Sequence, residues 1–197
     1  MPKRGQFRTA VSIEEWIARD TTRDDQRRPL LARMLAATPF QKDASIRVLD
    51  VGGGYGIVTE EVLKHFPQAK VTLQDYSVPM LDRARQRLSK YGNQVNCVLC
   101  DLADPSWTDR VKGPFDLVVS ALALHNLRDM ALIAACYRGI YELLESGSAF
   151  VDCDHLERAG GVEANIRALQ EAGFSKVECS AQEPRGALLA AYKGNQG

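Results

Sequence analysis

Three alternating glycines stand in a segment that could hold a nucleotide-type ligand. Gly52, Gly54 and Gly56 follow the apolar run 46–51 and precede a stretch with helical periodicity. Glycine lets the backbone turn tightly and approach a ligand with no β-carbon in the way. Backbone N–H groups at the start of the next helix can then bond a carboxylate or another polar atom of the ligand. The segment predicts a strand, a binding turn and a helix.

The residues beside these glycines distinguish two kinds of cofactor. A dinucleotide fingerprint requires a small residue at position 57, where this chain has Ile57. Asp50 precedes the first glycine by two positions, and its charge would repel a pyrophosphate. A carboxylate there suits an ammonium group instead, or can hold the glycine turn through its N–H groups. The pattern therefore disfavours a nicotinamide dinucleotide.

Two further carboxylates follow predicted strands. Asp75 ends the run 71–75, 21 positions after Gly54, and Asp101 comes just after the run 95–99. Because the carboxyl ends of parallel strands meet at one edge of a sheet, both side chains should face the same crevice. A carboxylate can accept both hydroxyl hydrogens of a ribose, and a second can accept from an exocyclic amine. The spacing predicts a site for a nucleoside.

From residue 46 onward, strand and helix patterns alternate. Short apolar runs predict strands buried on both faces of a parallel sheet, with helices covering each face. The last two strands are separated only by 181–186, which is too short for a crossover helix, so they should form an antiparallel hairpin. We expect strands at 46–51, 71–73, 95–99, 115–121, from 149 onward, 174–180 and 187–192, and helices at 58–66, 78–91 (closed by Gly92), 130–144 and 160–172.

The first 40 residues predict a helical extension. Ser12 and Glu15 have the spacing of a capping box at the start of a short helix. A second helix is expected at 22–37, with Pro29 either kinking it or opening a new helix. We therefore expect two parts, a helical extension at 1–40 that acts as a substrate lid and an α/β domain at 41–197.

Composition narrows the class of protein. Lysine plus arginine equal aspartate plus glutamate at 25 each, so net charge gives no general attraction for nucleic acid or for an anionic membrane. No stretch has the length and hydropathy of a membrane span, and the N-terminus has no signal-peptide pattern. Five scattered cysteines do not suggest a disulfide framework. We expect a cytoplasmic protein, and the sequence leaves a homodimer open.

Five ordered motifs and the terminal hairpin resemble the class I S-adenosylmethionine-dependent methyltransferase family. The resemblance covers roughly 46–193 and implies a doubly wound, mostly parallel seven-stranded sheet of order 3-2-1-4-5-7-6. It also implies S-adenosyl-L-methionine as cofactor, with S-adenosyl-L-homocysteine as product. The motifs that carry it lie at 48–56, Asp75, Asp101, 115–120 and 144–148.

The same resemblance implies where each part of the cofactor binds. The glycine turn would line the methionine part, Asp75 the ribose, and the segment at Asp101 the adenine. The end of the fourth strand would lie beside the transferable methyl group. The implied cofactor-binding residues are Asp50, Gly52, Gly53, Gly54, Tyr55, Gly56, Asp75, Tyr76, Asp101, Leu102, Ser120 and Ala121.

Two sites in the sequence, His125 and the end of the fifth strand, leave alternatives open. His125 follows the fourth strand and could be a general base, because histidine titrates near neutral pH, or a loop residue that shapes the pocket. Asp152, Cys153, Asp154 and His155 cluster at the end of the fifth strand. They include possible metal ligands, and the alternative is that Asp154 and His155 are polar residues that line the pocket. Successive residues on a strand point to opposite faces, so not all four can converge if the strand persists, and we expect no metal.

The predicted reaction is methyl transfer by in-line displacement to an oxygen or nitrogen of a small-molecule acceptor. Position 120–123 reads Ser-Ala-Leu-Ala, which does not match the N/D-P-P-Y/F segment of amino-group DNA methyltransferases, and a nucleic-acid acceptor is disfavoured. Positioning and exclusion of water can supply much of the acceleration, so a catalytic base is not obligatory. The alternatives are a catalytically silent binding module and, less favoured, a nicotinamide-dependent oxidoreductase.

Overall fold

A computed structural model describes residues 10–183 and 186–195, with the side chains at 10–13, 16 and 181–183 left out. Its centre is a seven-stranded sheet of order β3-β2-β1-β4-β5-β7-β6, which confirms the predicted order. All neighbours pair in parallel except β5 with β7 and β7 with β6. The strands are β1 Arg47–Val51, β2 Lys70–Asp75, β3 Val95–Leu99, β4 Phe115–Ala121, β5 Leu144–Asp154, β6 Lys176–Glu183 and β7 Gly186–Tyr192.

Helices cover both faces of this sheet because its central strands are apolar on both sides. Val48 of β1 packs into one buried cluster with α2 and α3, whereas Leu49 packs into a second cluster with α6 and α7. The α-helices are α1 Ala10–Thr21, α2 Asp24–Ala36, α3 Ile57–His65, α4 Val78–Arg87, α5 Trp107–Arg110, α6 Met130–Leu143 and α7 Val162–Ala172. The strand order reverses between β1 and β4, which is where open α/β sheets bind ligands.

Several boundaries differ from the sequence prediction, and the structure decides between the two alternatives at Pro29. Ser12 lies inside α1, so it does not cap that helix. α2 continues through Pro29 as one element, so no new helix opens there. α4 ends at Arg87 and is followed by a 3₁₀ turn, in which Gly92 has φ 54°. β5 begins at Leu144 because its first residue already pairs with β4.

The second helix belongs to the main core. Leu31, Met34 and Leu35 of α2 are buried in the same cluster as Val48 and Leu117 of the sheet. The N-terminal segment is therefore packed onto the α/β domain over most of α2. Within residues 10–183 and 186–195, no helix is long and apolar enough to cross a bilayer.

Candidate functional site

The glycine turn after β1 is held by the end of β2. Gly52 and Gly54 have φ of 66° and 54°, which a side chain would strain. The N–H of Gly52 donates to Gln74 Oε1 at 2.9 Å, and the N–H of Gly53 donates to the Gln74 carbonyl at 2.9 Å. The N–H of Gly54 donates to Asp75 Oδ2 at 3.0 Å. Two adjacent residues of one strand thus fix the loop.

Asp75 lies where the sequence places it, at the carboxyl end of β2 beside the glycine turn. Its Oδ1 accepts the Ser77 N–H at 2.8 Å, and the side chain is buried. Burial raises the pKa of Asp75 to about 6, against the opposing effect of backbone N–H donors at Ser77, Gly54 and Tyr76. The charge of this carboxylate is therefore sensitive to mildly acidic pH.

Asp50 lies behind the turn. Its Oδ2 accepts the Thr59 hydroxyl at 2.6 Å, while Oδ1 has no hydrogen-bond partner among the described residues. A β-carbon at Gly53 would lie 2.8 Å from Asp50 Oδ2 and 2.6 Å from Leu73, so the turn packs directly on this carboxyl. Complete burial raises the pKa of Asp50 to about 7. Gln74 and Asp75 take the N–H groups of the loop glycines 52–54, so the second of the two roles that the sequence left open for Asp50 is not observed at these groups.

A cleft of about 290 Å³ opens beside the end of β2. Val78 and Leu99, the large hydrophobic side chains most exposed in the described part of the chain, line it with exposed fractions of 51% and 45%. Apolar side chains that face water on both sides of a cleft suit a flat, apolar ring. The cleft is lined by Tyr76, Ser77, Val78, Pro79, Leu99, Cys100 and Asp101.

The structure separates two residues predicted together at the adenine. Asp101 lines the cleft, with Oδ1 accepting the Ala103 N–H at 3.0 Å. Leu102 packs instead against the core cluster that contains α6, and its carbonyl lies 3.5 Å from Cys136 Sγ. Gly54 faces open space, since a β-carbon there would meet nothing within 4 Å. The glycine turn and the cleft together leave room for a nucleoside with an attached chain.

At the end of β4, the side chains point away from the space that the glycine turn and the cleft leave open. Ser120 is fully buried on the face that carries α6, opposite Asp152 of β5. Ala121 packs at the margin of the core cluster on the other face. Contact with a ligand at these positions would come from the backbone edge, because the Ser120 hydroxyl is enclosed. Tyr55 is also buried, and its hydroxyl points to the α1–α2 turn.

Gly56 serves helix packing. A β-carbon there would lie 2.8 Å from Leu88 and 3.4 Å from Ala84, the side chains at the end of α4. Its place is therefore fixed by the approach of α3 to α4 rather than by the open side of the turn.

His125 lies in a tight turn between β4 and α6, held by a carboxylate from β5. Its ring Nδ1 is 2.5 Å from Asp154 Oδ1, and its backbone N–H donates to Asp154 Oδ2 at 2.9 Å. Asp154 also accepts the His155 N–H at 2.7 Å. Leu122 and Arg128 bound the turn with φ of 54° and 55°, an uncommon conformation for side-chain-bearing residues that often marks functional loops. The imidazole is thus fixed in orientation.

The two loops that follow β1 and β4 touch each other. A β-carbon at Gly52 would lie 2.5 Å from Ala123 Cβ, so the glycine turn packs against the segment that leads to His125. The binding turn and the oriented imidazole are therefore neighbours at the switch point of the sheet. This arrangement suits a ligand on the glycine turn and a proton acceptor beside its reactive end.

Two residues that position the site were not singled out in the sequence, and a third, Asp154, was considered there without its role in orienting His125. Gln74 accepts from the glycine turn, and the Thr59 hydroxyl donates to Asp50. Asp154 orients His125. Gln74 is next to Asp75, but its bond to the glycine turn depends on the pairing of β1 with β2, and no local sequence pattern indicates it. In the part of the chain that the structure describes, no group of three or more histidine, cysteine or acidic residues is placed to hold a metal ion.

Comparison with known families decides the class. The sequence model described as "Methyltransferase domain" matches residues 48–147, just over half of the chain. The chain belongs to the class I S-adenosylmethionine-dependent methyltransferases. The matched segment runs from the start of β1 into β5 and includes the glycine turn, Asp75, Asp101 and His125.

Individual methyltransferases resemble the chain over part of their length. Malonyl-[acyl-carrier protein] O-methyltransferase of Neorickettsia risticii is 40% identical over 97 residues, 49% of this chain and 34% of that protein. Ribosomal RNA small subunit methyltransferase C of Escherichia coli is 33% identical over 112 residues, 56% of this chain and 30% of that protein. The chain thus matches about a third of the length of these relatives.

A solved structure shares the whole architecture. An O-methyltransferase family protein from Burkholderia thailandensis superposes with a TM-score of 0.74 at 18% identity, covering 91% of this chain and 60% of that one. At this identity the likeness establishes the fold, and the chemistry has to be argued from the site itself.

Proposed function

We propose that this methyltransferase transfers a methyl group from S-adenosylmethionine to an oxygen or nitrogen of a small-molecule acceptor, with His125 as general base. The observation that carries the proposal is the His125–Asp154 pair, 2.5 Å between Nδ1 and Oδ1, next to the glycine turn. A base oriented by a carboxylate beside a cofactor turn is the arrangement that deprotonation of an acceptor requires.

The residues of the site fit the cofactor. The open side of Gly54 accommodates the methionine part, and Asp75 faces the same space with a carboxylate for the ribose hydroxyls. Val78 and Leu99 would enclose the adenine ring, with Asp101 at its amine. When bound, S-adenosylmethionine supplies a methyl group already activated by its sulfonium.

The chain itself has to align the acceptor and remove its proton. With Asp154 accepting from Nδ1–H, the lone pair of His125 lies at Nε2 and can take the proton of a hydroxyl or amine. With the cofactor bound, the acceptor atom would bond to the methyl carbon as the carbon–sulfur bond broke, and the electron pair of that bond would stay on sulfur. The proton is held on the imidazole and stabilised by the Asp154 carboxylate.

The N-terminal segment, residues 1–40, is proposed to border the acceptor. Arg27 of α2 contributes, with His125 and Arg158, to lowering the pKa of His155, after the larger effect of burial. The His125 and His155 rings lie 5.4 Å apart, so α2 reaches the surroundings of the proposed base. This placement supports a closed acceptor site formed by α2 and the ends of β4 and β5.

A small acceptor is favoured by the balanced charge of the chain, although the named relatives act on ribosomal RNA or on malonyl-acyl carrier protein. Strong nucleic-acid binding normally requires an excess of basic residues. We also propose a cytoplasmic location for the protein.

The test is a calorimetric titration with S-adenosylmethionine and S-adenosylhomocysteine, with NAD and NADP as controls. Binding of the first two alone supports the cofactor. A screen of hydroxylated and amino compounds with methyl-labelled cofactor then tests turnover, with RNA and acyl carrier protein as competing acceptors. Binding without turnover on any acceptor would favour the silent module, and labelling of RNA alone would overturn the small-molecule acceptor.

A further inference from the structure

Tyr55 lies in the glycine turn, but its side chain reaches the N-terminal helices. Its hydroxyl is 2.7 Å from Asp24 Oδ1 and 3.1 Å from Asp20 Oδ2, the two carboxylates that flank the turn between α1 and α2. All three side chains are buried, with exposed fractions of 5% for Tyr55, 8% for Asp24 and 6% for Asp20. A residue of the proposed cofactor turn is thus bonded directly to the N-terminal segment.

The hydrogen bonds in this contact have defined donors and acceptors. Burial and the neighbouring carboxylates raise the pKa of Tyr55, so its phenol keeps the single proton that it can donate. That proton goes to Asp24, the nearer carboxylate, while Asp20 is paired with Arg27, whose Nη2 lies 2.6 Å from Oδ1. Arg27 Nη1 is also 3.4 Å from the Tyr55 oxygen.

A third element, the last turn of α4, joins the contact. Arg87 at the end of α4 donates to Asp24 Oδ2 at 3.1 Å and to Glu60 Oε2 at 2.9 Å, and its guanidinium carbon lies 5.4 Å from the centre of the Tyr55 ring. The first turn of α4 lines the proposed adenine cleft. We call these six residues the Tyr55 cluster: Asp20, Asp24, Arg27, Tyr55, Glu60 and Arg87.

Such a cluster is a poor device for stability alone. Buried ion pairs are costly to desolvate, and apolar side chains of similar volume often stabilise a fold as well or better. Hydrogen bonds between fixed donors and acceptors depend steeply on position, however. Tyr55 stands between Gly54 and Gly56, so any ligand that orders the turn also fixes the point from which the phenol reaches Asp24.

We propose that Tyr55 is a positioning residue that couples cofactor binding to the docking of α1 and α2. When the cofactor occupies the glycine turn, Tyr55 holds the α1–α2 turn, and with it Arg27, at the acceptor side. The cofactor and the docked α1–α2 turn then stabilise each other through Tyr55. This inference rests on the proposed placement of the cofactor on the glycine turn.

The test compares Tyr55→Phe with Glu61→Gln. The control is matched because Glu61 of α3 pairs with Arg28 and so joins the same helix α2 to the domain without contacting the glycine turn. We expect Tyr55→Phe to weaken S-adenosylhomocysteine binding about tenfold, the effect of losing a hydrogen bond to a charged group, and Glu61→Gln to change it less than about twofold.

Hydrogen exchange provides the readout that a purely structural role would not change. In the wild-type chain, S-adenosylhomocysteine should slow amide exchange over residues 17–36, and saturating ligand should fail to do so in Tyr55→Phe. Asp24→Ala, which removes the acceptor, should reproduce this loss, and the double variant should be no worse than Asp24→Ala alone, because both changes remove the same bond.

Two results would overturn the coupling. One is that Tyr55→Phe binds S-adenosylhomocysteine with wild-type affinity and shows full protection of residues 17–36. The other is that Glu61→Gln loses affinity and protection to the same extent as Tyr55→Phe. Failure of the wild-type chain to bind S-adenosylhomocysteine would instead defeat the proposed function, and the inference with it. The wild-type titration therefore separates the two failures.

Discussion

The carboxylate of Asp154 bonds to His125 at two points: Oδ1 lies 2.5 Å from the ring Nδ1, and Oδ2 accepts the backbone N–H at 2.9 Å. The two residues are 29 positions apart and meet because β4 and β5 are parallel neighbours. A carboxylate that accepts from Nδ1–H selects the imidazole tautomer whose Nε2 can accept a proton. The pair accounts for how the proposed base is oriented.

His125→Ala should abolish most of the methyl transfer and leave cofactor binding intact. Loss of a general base typically costs about 100-fold or more in rate. Single-turnover transfer to an acceptor found in the screen measures the rate, and calorimetry measures the S-adenosylhomocysteine Kd. His65→Ala, at the end of α3, is the control. Equal rates for His125→Ala and wild type would show that the cofactor needs no base here.

Binding of S-adenosylhomocysteine should strengthen as the pH rises through about 6. Burial raises the pKa of Asp75 to about 6, and only the ionised carboxylate can accept both from Gly54 and from ribose hydroxyls. Because the protonated form dominates below this value, affinity at pH 5 should be about tenfold lower than at pH 7. The measurement is a Kd series across this range.

Asp75→Asn should flatten that pH profile and weaken binding at pH 7 by about tenfold, since the amide replaces a charged acceptor with a neutral one. A profile of unchanged steepness in this variant would assign the titration to another group, and Asp50, with its pKa raised to about 7, would be the next to replace.

Asp152→Asn should stabilise the protein at neutral and alkaline pH. Neither carboxyl oxygen of Asp152 has a hydrogen-bond partner in the described part of the chain, and complete burial, with the Asp154 charge second, raises its pKa well above the ordinary value. A raised folded-state pKa means that this group favours folding at low pH and progressively opposes it as the pH rises above the unfolded value.

The amide has no charge to bury, so the melting temperature of Asp152→Asn should exceed that of wild type at pH 8 and converge with it near pH 4. Each kcal/mol shifts Tm by about 2–4 °C in a chain of this size. Asp109→Asn, at an exposed carboxylate on α5, is the control and should show no such trend. A lower Tm for Asp152→Asn at every pH would indicate an ionised, paired carboxylate.

Substitutions at Gly52 and Gly54 should separate packing from binding. A β-carbon at Gly52 would lie 2.5 Å from Ala123 Cβ, whereas one at Gly54 would meet nothing within 4 Å. Both residues have positive φ, which costs alanine about 1 kcal/mol. Urea unfolding should therefore give Gly52→Ala a free energy of unfolding about 1–3 kcal/mol lower than that of Gly54→Ala, because only the Gly52 site is overpacked.

Gly54→Ala should fold with only the conformational penalty but lose cofactor affinity, since its methyl group would enter the space proposed for the ligand. Calorimetry with S-adenosylhomocysteine measures this. Wild-type affinity in Gly54→Ala would place the ligand on another side of the turn.

Local patterns in the sequence predicted the fold closely. The apolar runs gave the strands, and the short connection at 181–186 gave the hairpin of β6 and β7. Helix ends were less well predicted, as at Gly92 and Ser12, because the helix boundaries depend on packing as well as on capping residues. Asp75, Asp101 and the glycine turn lie at one edge because parallel strands all end there.

The partners of the site residues were decided by tertiary structure. His125 meets Asp154, Gly52 meets Gln74, and Tyr55 meets Asp24 only after strands and helices distant in sequence are brought side by side. The sequence by itself determined the sheet, the glycine turn and the carboxylates at its edge, since these follow from residue type and local periodicity. Which side chain bonds to which depends on strand register and on the face to which each residue points, and those are fixed by the packing of the whole chain.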